Sequence, residues 1–192
     1  MKSAPIKIAV TGTHSTGKST FIVSLAECLE KQSKSVGLIG DLAKRARDMG
    51  FPILTGHTYE STLWMMAEGL RQETELSLNK QIILIDRPIF DALGYLEAAL
   101  EITGRTLIPG QLEELRAIAA AHSASYDFVI ATALDPSVPL GEGRDPNAQF
   151  REAAAKHIDQ LVKQHASSAM RMTISNREDV LAKTLSFISS RD

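Results

Sequence analysis

Short, almost uniformly apolar runs alternate along this chain with longer stretches in which apolar residues recur every three or four positions. The runs lie at 6–11, 35–40, 81–86, 128–133 and 170–175. Each has the length of a strand, and continuous apolarity is what a strand needs when both faces of its sheet are covered. The stretches between them carry helical spacing. One at 20–31 places Phe21, Leu25, Cys28 and Leu29 on a stripe, and a short one runs from Asp41 to Met49. A long one at 58–78 places Leu63, Met66, Ala67 and Leu70 on one face. Pro88 is suited to be the first residue of the next helix, because its missing N–H costs nothing there. Leu112, Leu115, Ile118 and Ala119 mark another helix, and a further one is expected from an Asp145 cap and Pro146 through about His165. A Ser175–Glu178 capping box would open the last, striped by Val180, Leu181, Thr184, Leu185 and Ile188. Alternating strand and helix predicts a three-layer α/β fold around a mostly parallel sheet.

One segment breaks the alternation. Residues 134–147 contain Pro136, Pro139, Pro146, Gly141 and Gly143, which exclude regular structure. A long irregular loop after the fourth strand, feeding a helix, reads either as an active-site lid spanning about 134–151 or as a surface excursion. Composition adds bounds. The 192 residues suit one domain, 1–192, and 44% hydrophobic with 23% charged is ordinary for a globular chain. A net charge of −2 gives no basic field, so nucleic acid is not expected as a partner. No apolar run reaches membrane-spanning length, and neither a signal peptide nor a membrane contact is expected. The single cysteine, Cys28, reads as a buried thiol in a reducing, cytoplasmic setting. Histidines and cysteine show no metal-ligand spacing.

The candidate chemistry begins right after the first run. Gly12-Thr13-His14-Ser15-Thr16-Gly17-Lys18-Ser19 matches G-x-x-x-x-G-K-[ST], between a strand and a helix as that pattern requires. Its glycines let backbone N–H groups wrap an anion, and the helix N-terminus points at the same place. Lys18, read as solvent-facing in the empty loop, adds a point charge over the phosphates. Ser19 offers a hard oxygen to Mg²⁺, and Thr20 continues the cradle. In a parallel sheet ligands lie beyond the carboxyl ends of the strands, so strand-end residues come next. Asp41 follows the second strand, as a general base for an acceptor hydroxyl or as a helix cap. Asp86 and Arg87 follow the third. Asp86 suits Mg²⁺ or acceptor positioning, or capping; Arg87 suits a phosphate or a pair with Asp86. Asp91, about one turn on, is a candidate for a substrate sugar. Arg144 and Arg151 flank the start of the lid helix, either as arginines that neutralise a transferring phosphoryl group or as solvated surface residues. Asn176 follows the fifth strand as a nucleotide contact. Trp64 could stack on a substrate ring or pack on the sheet.

Together, the loop at 12–19, the run Asp41-Leu42-Ala43-Lys44-Arg45, the pair Asp86-Arg87, and Gly143-Arg144-Asp145 leading into Phe150-Arg151 resemble the small P-loop nucleoside and nucleotide kinases. The nearest look is to AAA-type ATP-binding domains related to ribosylnicotinamide kinase. The resemblance implies a P-loop NTPase fold with a five-stranded parallel sheet in order 2-3-1-4-5, ATP-Mg²⁺ as donor, and a small nucleoside, nucleotide or nucleoside-like molecule as acceptor. Asp41 stands where that group often has glutamate, which bears on its role as base. A regulatory NTPase switch, slowly hydrolysing ATP to control a protein partner, is the rival reading. Asn79-Lys80-Gln81-Ile82 lacks the aspartate of a guanine-reading N-K-x-D pattern.

Overall fold

In a computed structural model, residues 4–13, 16–133 and 147–191 are described. Five strands form one all-parallel sheet in the order β2-β3-β1-β4-β5: β1 Ile6–Thr11, β2 Val36–Ile39, β3 Ile82–Asp86, β4 Phe128–Thr132 and β5 Met170–Met172. β1 is central, with Ile8 opposite both Leu84 and Phe128. Alternation along it sends Ile8 and Val10 into one core and Ala9 into the other.

Helices cover both faces. α1 (Lys18–Lys31) and α7 (Arg177–Ser189) close one side through Phe21, Leu25, Leu29, Val180 and Ile188. The larger core, on the other side, takes Met66 of α3 (Tyr59–Leu76), Phe90 and Leu93 of α4 (Ile89–Thr103), Leu115 of α5 (Gln111–Ser123) and Phe150 of α6 (Ala148–His165). α4 and α6 approach so closely at Gly94 that a Cβ there would lie 2.7 Å from Ile158 Cγ1. The short α2 (Leu42–Asp48) buries Ala46.

Several boundaries differ from the sequence expectation, each for a local reason. β5 stops at Met172 because Thr173 N–H donates to Asn176 Oδ1 at 2.7 Å, turning the chain before residue 175. The cap of α7 is consequently Asn176, and no Ser175–Glu178 box forms; a capping box occurs instead at α3, between Thr58 and Ser61. Pro88 is extended (ψ 167°) and caps α4 rather than starting it. α6 is capped by Asn147, whose Oδ1 accepts from Phe150 N–H at 2.9 Å; Asp145 and Pro146 lie outside the described residues. Ala67 is exposed and Cys28 only half-buried, so each lies at the edge of its stripe rather than within it.

Candidate active site

The phosphate-binding loop leaves β1 at Thr11 and enters α1 through Gly17. Gly12 has φ 129°, and a Cβ there would stand 2.1 Å from Thr132 Oγ1, so only glycine lets the loop pass the end of β4. Gly17, at φ 84°, makes the left-handed turn into the helix. His14 and Ser15 lie outside the described residues. Hydroxyl groups stitch the loop to its neighbour strand: Thr132 Oγ1 donates to Thr11 O at 3.0 Å and meets Thr16 Oγ1 at 2.7 Å. Lys18 corrects an expectation. It is 5% exposed, because its ammonium turns back to donate to Thr13 O and to Thr16 Oγ1 rather than pointing into solvent. Thr13 Oγ1 is buried with no hydrogen-bond partner among the described residues. Ser19 and Thr20 are exposed at the first turn of α1.

Beside the loop, Ser19 Oγ donates to Asp86 Oδ2 at 3.3 Å, while Asp86 Oδ1 is buried with no hydrogen-bond partner among the described residues. A hydroxyl and a carboxylate with spare acceptor capacity form a hard-oxygen pair suited to Mg²⁺, which keeps most of its shell for waters and phosphates. No cluster of three or more acidic, histidine or cysteine side chains able to hold a metal occurs among the described residues. A nucleotide-borne Mg²⁺ needs none.

A cavity of about 440 Å³ adjoins this loop, walled by α2, the turn Leu54–Gly56, α3, the end of β3 and the start of α4. Its polar residues include Asp41, Lys44, His57, Glu73, Arg87 and Asp91, set among Leu, Ile and Met side chains. Four non-glycine residues have positive φ among the described residues, and three of them, Asp41, Leu54 and Arg87, line this cavity. Such conformations cost on the order of 1–3 kcal/mol each and gather where a site imposes them. Asp41 is the residue preceding α2, yet its side chain makes no capping hydrogen bond.

Arg87 and Asp91 belong to both the cavity and the loop. Arg87 Nη1 donates to Gly12 O at 3.3 Å and to Tyr95 Oη at 2.8 Å, with its guanidinium 5.0 Å from the Tyr95 ring centre. It sits 4.0 Å from Asp91, not in a pair with Asp86. Asp91 is buried; it accepts from the Thr11 hydroxyl and from Gly12 N–H at 3.4 Å. Burial pushes its carboxyl above the usual range, against the pull of Arg87 and the Thr11 hydroxyl. At another part of the wall Glu73 is held by Lys7 and His122, at 2.9 and 2.8 Å, and by Tyr126 Oη. Burial would raise it, but the His122 and Lys7 hydrogen bonds outweigh burial and hold it below the ordinary carboxylate range. Tyr126 Oη also accepts from Ile89 N–H at 3.0 Å, anchoring the first turn of α4.

Trp64 and Asn176 fall outside this assembly. Trp64 packs against Phe51, ring centres 5.5 Å apart, and does not line the cavity. Asn176 spends its amide on Thr173 and on Arg171 O. Arg151, in the first turn of α6, has Nε and Nη2 buried without a hydrogen-bond partner among the described residues. Arg144 and the lid segment through residue 146 lie outside the described residues. Sequence reasoning missed Tyr95 and Glu73 altogether. The i, i+4, i+8 spacing of Arg87, Asp91 and Tyr95 was the available signal for the first, since it sets all three on one side of the α4 start. Glu73 gave no signal, being one polar residue within a long helix.

A family model described as an AAA domain matches residues 7–180, and the chain belongs to that family. No curated protein matches it in sequence. Among solved structures, the deoxyadenosine kinase from M. mycoides, determined with bound dATP, aligns with a TM-score of 0.66 over 94% of this chain and 100% of its own, at 14% identity. That likeness is one of fold: the five-stranded P-loop kinase sheet in order 2-3-1-4-5.

Proposed function

We propose that this chain transfers a phosphoryl group from ATP to a hydroxyl of a small nucleoside-like acceptor held in the 440 Å³ cavity. The observation that carries the reading is the shared wall: Arg87 and Asp91 both line the cavity and both touch Gly12 of the phosphate loop. An acceptor in the cavity is thereby next to a triphosphate in the loop. The backbone of residues 12–17 and the α1 N-terminus bind the phosphates, with Gly12, Thr13, Thr16, Gly17, Ser19 and Thr20 as cradle. Lys18 exchanges its Thr13 carbonyl for phosphate oxygens. Ser19 and Asp86 would hold Mg²⁺, which when bound neutralises charge on the β- and γ-phosphates. Asp41, free of capping duty, accepts the acceptor's hydroxyl proton. Arg87 keeps the acceptor end of the site positive. Arg151 and Arg144 are proposed to complete charge neutralisation from the α6 side.

The test is ATP consumption measured with and without a panel of nucleosides, nucleotides and ribosides. Consumption that requires a small acceptor supports the kinase. Slow hydrolysis indifferent to every acceptor, and altered by a macromolecule, would replace it with the regulatory switch.

A further inference from the structure

The cavity carries a second selective element, away from the phosphate loop. From Gly12 a line of contacts runs to Arg87, from Arg87 to Tyr95 Oη, and from the Tyr95 ring to His57, which stacks on it at 5.9 Å with planes 24° apart. His57 is thus three contacts removed from the phosphates, at the part of the cavity where the body of an acceptor, rather than its reacting hydroxyl, must lie. Its ring is 3% exposed and lines the cavity.

The neighbours of His57 fix its tautomer. Thr62 Oγ1 donates its one proton to Thr58 O at 2.8 Å. The 3.4 Å contact between His57 Nδ1 and Thr62 Oγ1 therefore has nitrogen as donor and oxygen as acceptor. With the ring proton on Nδ1, Nε2 presents a bare lone pair. Nε2 has no hydrogen-bond partner among the described residues, and the residue lines the cavity. The backbone is pinned as well: Arg105 donates to Thr55 O at 2.7 Å and to His57 O at 3.0 Å.

Resting on the kinase reading for the identity of the occupant, we infer that His57 is a specificity-determining residue: its Nε2 accepts a hydrogen bond from an N–H donor on the acceptor. The ligand class is one whose ring or side group carries an amino or carboxamide N–H. A keto oxygen at the same place sets two lone pairs against each other and leaves a buried acceptor unpaired. Protonation does not relieve this, because burial together with Arg87 and Arg105 holds the imidazole neutral, with its pKa pushed down to about 3. The His57 wall is then an acceptor at every physiological pH.

The experiment uses two matched pairs, adenosine with inosine and cytidine with uridine, and measures binding by calorimetry separately from ATP-dependent turnover. Wild type is expected to favour the amino member of at least one pair by roughly 10²-fold in affinity and in kcat/KM, the scale set by an unpaired polar group in a built site. His57→Phe keeps the stack on Tyr95 and removes the lone pair, so the preference should fall to within about threefold. His57→Gln, which offers both a donor and an acceptor, should bind both members. Equal binding of amino and keto members by wild type, or a preference that survives in folded His57→Phe, overturns the inference and leaves the kinase reading standing. Amino-selective binding that His57→Phe abolishes, with no turnover of any member, upholds the inference and removes the kinase reading. Failure of all four nucleosides to bind removes both.

Discussion

The glycine-rich loop that follows β1 and the 440 Å³ cavity beside it share a wall but are built in opposite ways. The loop is a contiguous stretch whose chemistry lies in backbone N–H groups, and its demands on sequence are two glycines, one lysine and one hydroxyl. The cavity is assembled from α2, the 54–56 turn, α3, β3 and α4, and its chemistry lies in side chains held by one another. Strain is placed accordingly: the loop takes its positive φ angles at Gly12 and Gly17, where they are cheap, and the cavity takes them at Asp41, Leu54 and Arg87, where they are not. On the proposed reading, generic backbone serves a generic phosphate, and a particular constellation of side chains serves a particular acceptor.

Substitutions sharpen this contrast, starting with the loop. Lys18→Ala should cost the most, roughly 10³-fold or more in turnover, as expected for a charge on the transferring group. Because Lys18 is buried against Thr13 O, some stability should go with it, and thermal unfolding measured beside ATP titration separates the two losses. A folded variant with unchanged ATP-Mg²⁺ affinity and rate would break the comparison at its stronger side. Asp86→Asn comes next, with about 10²- to 10³-fold lower turnover, a raised Mg²⁺ requirement and little change in ATP affinity. Magnesium titrations at saturating ATP check it.

On the cavity side Asp41→Asn should lower phosphoryl transfer by about 10²-fold while leaving thermal stability within about 0.5 kcal/mol, since the side chain makes no capping bond to lose. A stability loss with a normal rate would return Asp41 to a purely structural role. The remaining effect is on pH dependence. Folded His57 titrates at about 3 and the unfolded chain at 6.5. As pH falls below 6.5 the unfolded state gains a proton that the folded state refuses, so stability present at neutral pH is lost by up to about 1.4 kcal/mol per unit from this group. His57→Phe should flatten that part of the curve in denaturant titrations between pH 6.5 and 4.

The same contrast explains what was legible in the sequence. The sheet was readable because most strand positions are apolar and each helix has a stripe; the order β2-β3-β1-β4-β5 came with the resemblance, not the pattern. The loop was readable because its residues are contiguous. Asp86 and Asp41 were found by a positional rule about strand ends, and both stand at the site. Arg87 was found too, but its contacts with Tyr95 and with Gly12 of the loop were not, because they arise only through tertiary packing. Trp64 drew notice as a lone large aromatic, and its actual neighbour, Phe51, shows that size alone does not point a ring at a ligand. Glu73 lay hidden because a buried carboxylate is recognisable only with Lys7 and His122 beside it, which are 66 and 49 residues away.

The loop's own ties have a consequence for how the molecule comes to be. Thr11 is bonded to Asp91, 80 residues later, and accepts from Thr132, 121 residues later. β1 likewise pairs with β3 and β4 and not with β2, the next strand in sequence. Closing such distant contacts is slow relative to local helix formation. The eight-residue motif therefore leaves the ribosome before β3 and β4, and its ties to them close only after β4 has emerged. A nascent chain carries the complete signature of a nucleotide site long before it carries the site.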